Sequence, residues 1–263
     1  MAPEMWGALA ALLLAIAAVA RGLALFRVRG RWELLAICAR AGAAMALAVA
    51  VVLAAVTHGQ WSPFDLWQVT LSLSLAILSV YVALAWRFRI DAAEPIVDLL
   101  ALALILIGML AIRPGGPFVP CLQQAWPFSV QWVLFLTGGG GSMVAGSAGL
   151  TLILARRGWP LHWPRPADSY LLLRQAAMLA LVFLGGGLIV SMWWAWQAEG
   201  TLTSSDPREV WMAITCLIAT MSLSVQHLQR RWERWAAGLA VLAATAVMVG
   251  FLAVIDLRRL LGM

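Results

Sequence analysis

Apolar residues run along this chain in stretches longer than the buried stripe of a soluble helix. Eight of them, near 5–25, 34–57, 66–86, 96–112, 128–155, 170–193, 209–228 and 235–257, come close to the roughly 20 residues that carry an α-helix across a bilayer. The fourth is short and has Asp98 one turn in. Polar or Pro/Gly-rich connectors separate them, with no room for a folded domain outside the membrane. The pattern predicts an all-α fold: a polytopic membrane helix bundle of about eight transmembrane helices, one domain over 1–263.

Composition excludes the alternative of a soluble catalytic domain. The chain is 63% hydrophobic and 11% charged, whereas soluble domains carry roughly 25% charged residues. Lipid must therefore solvate much of the surface. All 18 basic residues are arginine. They lie scattered in short loops rather than gathered on one face, which speaks against nucleic acid as a partner.

The alternation of loops assigns 14 arginines to one side and 4 to the other. The rich side holds Arg27, Arg29, Arg31, Arg87, Arg89, Arg156, Arg157, Arg165, Arg230, Arg231 and Arg234, with Arg21, Arg40 and Arg174 in helix ends. The positive-inside rule then puts both termini on the outer (periplasmic) side of a bacterial inner (cytoplasmic) membrane. The first stretch carries Glu4 and no basic residue before its apolar run, so it is expected to be a retained helix rather than a signal peptide.

Cys38 and Cys216 fall inside apolar runs and Cys121 in a loop, with no C-x-x-C pattern, so neither a disulfide framework nor a thiol relay is expected. Tryptophans gather at helix ends, as in an interfacial belt. Two glycine clusters, Gly138 to Gly141 with Gly146 and Gly185 to Gly187, suit close helix packing. The alternative is room for a flat cofactor or a lipid against the backbone. Asp98 and Arg40 are charges inside apolar runs, and snorkelling or a local ion pair is expected of them.

Between the sixth and seventh stretches the chain reads Trp193-Trp194-Ala195-Trp196-Gln197-Ala198-Glu199-Gly200, and then, after Ser205, Asp206-Pro207-Arg208-Glu209-Val210-Trp211. Asp206 is a good N-cap, Pro207 suits the first turn, and Glu209 stands where a capping box places its acid. A helix is expected to start here, preceded by an ordered loop.

The same segment resembles the tryptophan-rich signature of the cytochrome c assembly family, the CcsA/ResC and CcmC-type haem-handling membrane proteins. That signature runs approximately W-A-x-x-A-W-G-x-x-W-x-W-D-P-K-E-x-W-x-x-I-T-W. Trp194-Ala195, Ala198, Gly200, Asp206-Pro207, Glu209, Trp211 and Ile214-Thr215 fall in register, with Arg208 in place of the lysine. Asp65-Leu66-Trp67-Gln68 after His58 looks like the family's G-H-F-P-L-S-D-L-Y-E-S stretch, and Val119-Pro120-Cys121-Leu122-Gln123 before Trp126 looks like its V-P-A-L-Q segment leading into a helix. The resemblance covers about 58–255.

The resemblance implies a haem held on the outer face against the tryptophan-rich loop, with histidines on flanking helices ligating the iron. Its remnants here would be the cofactor-binding set Trp194, Asp206, Trp211, His58 and His227. The departures are as informative. Glu199, Thr203 and Ser205 replace three signature tryptophans, and Gln131 corresponds to the histidine expected on the fifth helix. The last outward histidine falls where Leu257 to Met263 contains none. An amide does not replace imidazole as a strong haem-iron ligand. Near the inner end of the seventh helix, strict register puts Ser224 at a family histidine, with His227 one turn further on. His227 either takes over that role or simply ends a helix.

Two functions follow from the resemblance. One is a degenerate member without catalysis, a structural or assembly subunit of a membrane complex such as a respiratory or photosynthetic one, whose partners are the lipid bilayer and other membrane subunits. The other is an active haem-binding and haem-delivery protein of cytochrome c maturation, working with a CcsB-like partner. The cofactor expectation is accordingly none, or haem. A small-solute transporter is a third reading, supported only by Asp98, Asp65 and the glycines, with no inverted repeat in view.

Overall fold

The computed structural model describes residues 3–26, 29–57, 66–88, 93–110, 126–156, 166–200, 207–228 and 233–260. They form eight helices: α1 Pro3–Phe26, α2 Arg29–Thr57, α3 Leu66–Phe88, α4 Glu94–Leu110, α5 Trp126–Arg156, α6 Pro166–Glu199, α7 Pro207–Leu228 and α8 Glu233–Leu260. No strand occurs among the described residues. The protein is a polytopic helical membrane bundle, and seven of the eight helices are long and apolar enough to cross a bilayer. The exception is α4, which at 17 residues rises only about 25 Å, short of a hydrocarbon core of roughly 30 Å.

Consecutive helices pack against each other within two groups, α1–α4 and α5–α8, and the groups meet where α3 lies against α5. The burial of the spans follows that arrangement. The α3 and α5 spans are 61% and 72% buried, against 33% for α1 and 28% for α7. The outer helices instead expose large apolar side chains such as Met45, Val56, Val182 and Ile189, which is stable only against lipid.

The close approach at the centre comes from the run Gly138 to Gly141 on α5. A helix turns about 100° per residue, so consecutive glycines look toward different neighbours. A Cβ at Gly138 or Gly141 would meet the α6 backbone at Leu184 or Ala180, and one at Gly140 would meet the α3 backbone at Ala76. One at Gly146 would meet Ala244 of α8, and one at Gly149 the backbone at Ala237 of α8. Without side chains at these points, α5 can touch three helices backbone to backbone. Gly187 on α6 is filled by the Phe135 ring, whereas nothing lies within 4 Å of a Cβ at Gly185. Helix packing therefore explains the first cluster and Gly187, while Gly185 faces open space.

The expected ordered loop after the sixth span is corrected for Trp193 to Glu199, which continue α6 to a length of 34 residues. Ala195, Gln197, Ala198 and Glu199 are good helix formers and no breaker intervenes before Gly200. There the backbone turns left-handed (φ 70°), and the Gly200 N–H donates to the Trp196 carbonyl at 3.1 Å. This is a glycine C-cap. Helix α7 then starts at Pro207, as the Asp-Pro pair predicts.

Candidate functional site

Among the described residues, two clusters of polar side chains bridge three or more helices, one at each end of the bundle. Where α5 starts, α6 ends and α7 starts, Glu209 reaches sideways from the first turn of α7. Its Oε1 accepts hydrogen bonds from the Gln131 amide of α5 at 3.3 Å and from the Ser191 hydroxyl of α6. Gln131 and Ser191 are buried, and Glu209 is half-buried. Aromatic side chains pack together beside Gln131 in sequence, starting at Trp132. Trp132 packs edge-on to Phe135 at 6.5 Å and against Phe251 of α8 at 6.0 Å.

Trp194 and Trp211 belong to this end and are both half-buried. The Trp211 Cβ lies where a Cβ on Gly250 would stand, 2.8 Å away, so that glycine lets α7 close onto α8. His58 and Asp206, the other members expected here, lie outside the described residues. So does the side chain of His227, although its backbone ends α7. Residue 227 is 16 positions beyond Trp211 on one helix, a rise of about 24 Å. The structure does not bring His227 together with Trp211.

These described residues do not fit axial ligation of haem iron. Neither Val130 nor Gln131 offers an imidazole on the first turns of α5, and the Gln131 amide is engaged with Glu209. The ring of Phe135 fills the notch at Gly187, so no flat space remains against that glycine.

The second cluster lies at the arginine-rich end, among α1, α2, α3 and α4. Arg40 of α2 makes a two-pronged contact with Asp98 of α4, Nε to Oδ1 at 2.8 Å and Nη2 to Oδ2 at 2.7 Å. Its Nη1 donates to Glu94 at 2.9 Å, and its guanidinium carbon stands 5.5 Å from the centre of the Tyr81 ring. Arg21 of α1 pairs with the other Glu94 oxygen and, at 3.5 Å, with Glu33. Asp98 is fully buried and Arg40 is 5% exposed. Of the two expectations for these residues, the ion pair is what the structure contains, and neither charge snorkels.

Sequence reasoning named Arg40 and Asp98 as charges with a local partner, missed Glu94, counted Arg21 only toward orientation, and gave Glu209 a capping role and a place in the signature without its cross-helix contacts. The available signal was spacing: Glu94 and Asp98, four residues apart, share one face of α4. Nothing in the sequence marked Ser191.

No protein-family model matches the chain, and no curated protein matches it. Among solved structures it is similar to a cytochrome c haem lyase, CcmF, with a TM-score of 0.69 and 22% sequence identity over 95% of this chain and 47% of that one. The bundle has that fold. The chain spans just under half the length of that neighbour.

Proposed function

We propose that this chain is a membrane protein of the cytochrome c maturation group that acts as a non-catalytic structural or assembly subunit. Its place would be the inner membrane of a bacterium, alongside other membrane subunits. The observation that carries this reading is the closed contact of Glu209 with Gln131 and Ser191. It ties the starts of α5 and α7 to the end of α6 through one carboxylate oxygen that accepts from both the amide and the hydroxyl. Signature residues Trp194, Glu209 and Trp211 survive in register, and the fold shared with a haem lyase supports the group. A helix-to-helix fastener fits these residues better than an iron-binding surface does.

That same likeness favours haem delivery as the second reading. The two separate on purification in mild detergent, followed by a visible spectrum and pyridine haemochrome assay. The expected result is a colourless protein that keeps fixed membrane partners. A stoichiometric b-type Soret band, abolished by His58→Ala or His227→Ala, would favour haem delivery and overturn the structural role.

A further inference from the structure

At the arginine-rich end, where α5 ends and α6 and α8 begin, a half-open crevice of about 430 Å³ is lined by Arg156, Pro166, Ala167, Tyr170 and Glu233. That volume lies within the range of small-ligand sites. The apolar spans of all three helices terminate on its walls: α5's at Arg156, α6's at Pro166 and α8's at Glu233. The crevice thus sits at the boundary between hydrocarbon and water, at the depth of lipid headgroups.

Among the described lining residues, one cation faces one anion. Arg156 and Glu233 form an ion pair across it, the side chains 31% and 12% exposed. Two helix N-termini, those of α6 and α8, add positive dipole ends, which suit a phosphate. The C-terminus of α5 adds carbonyl oxygens and a negative dipole end, which suit an ammonium. A purely anionic headgroup would meet Glu233, and also Asp168 on the first turn of α6. Tyr170 gives the wall an aromatic face, its hydroxyl donating at 3.4 Å to the Gln226 carbonyl of α7.

We infer that this crevice binds the headgroup of a zwitterionic phospholipid bearing a primary amine. Arg156 turns from Glu233 to the phosphate, and Glu233 accepts hydrogen bonds from the ammonium. The ion pair is exchanged for two new ones of the same sign pattern, so neither charge is left unpaired at the membrane boundary. A quaternary amine has no N–H to give Glu233, and a glycerol headgroup has no positive charge. Phosphatidylethanolamine is therefore preferred over phosphatidylcholine and phosphatidylglycerol.

The test is native mass spectrometry of the full-length protein in detergent, titrated with each of the three lipids at matched acyl chains. Phosphatidylethanolamine should be retained about ten-fold more tightly than either of the others, the weight of one charge-assisted hydrogen bond. Arg156→Gln and Glu233→Gln should each erase that preference. Equal retention of the three lipids by the unmodified protein overturns the assignment without recourse to any variant. So does a preference that survives both substitutions. Free glycerophosphoethanolamine supplies the same charges without acyl chains, and it should fail to displace the lipid at equal concentration. If it succeeds, the site belongs to a soluble ligand and the lipid assignment falls.

Discussion

Arg40 holds two carboxylates of α4 with one guanidinium, three donors of its rigid fork placed at 2.7 to 2.9 Å. Such a pair adds little net stability over an apolar replacement of both partners, but removing one partner strands a buried charge. Arg40→Gln leaves Asp98 without its cation, and a loss of about 3–5 kcal/mol is expected from thermal or denaturant unfolding in detergent. Arg40→Lys keeps the charge and loses the fork, so it should fall between the two. An Arg40→Gln protein as stable as the original would show that water already solvates this cluster. Arg40 and Asp98 were visible in the sequence because a charge inside an apolar run stands out. Glu94 and Arg21 were not, because charges at helix ends are ordinary. Gln131 and Ser191 are neutral and similarly inconspicuous until α5 and α6 are placed beside α7.

At the scale of the element, α5 and α6 show how glycine acts by position. A methyl group at Gly187 would stand 2.4 Å from the Phe135 ring, whereas one at Gly185 would meet nothing within 4 Å. Gly185→Ala should therefore stabilise α6 by about 0.5–1 kcal/mol through helix propensity alone. Gly187→Ala should lower the melting temperature, because Phe135 is 2% exposed and has little room to retreat. Equal melting temperatures for the two variants would refute this account of the α5–α6 contact. Composition placed both glycines in one cluster; only their angles on the helix separate them. The extension of α6 through Glu199 has a similar origin. Tryptophan-rich sequence near a membrane surface suits a loop or a helix, and the uninterrupted helix formers before Gly200 decide for helix.

For the whole molecule, hydropathy gave the number of helices and their order, and the arginine pattern carries an orientation. We propose that both termini face outward. An alkaline phosphatase fusion at Met263 should then be active, since that enzyme requires the periplasm, and one in the 157–165 loop should be inactive. The reverse pattern would invert the bundle and move the lipid crevice to the other leaflet. The Arg40 cluster lies within α1–α4, and the Glu209 contact and the crevice lie within α5–α8, so each depends on how helices pack inside its own group.

By itself the sequence determined that this protein lives in lipid as a bundle of helices. Twenty-residue apolar runs have no other stable solvent, and within a bilayer a helix satisfies its own backbone. It also put Gln131 where the resemblance expects a histidine, a difference legible in one letter. Only the tertiary structure decided what Gln131 touches. Whether Glu209 merely caps a helix or binds α5 to α6 depends on which side chains come within 3.3 Å across helices. That distance is set by packing small residues face to face, a property of three-dimensional neighbours that no single run of residues contains.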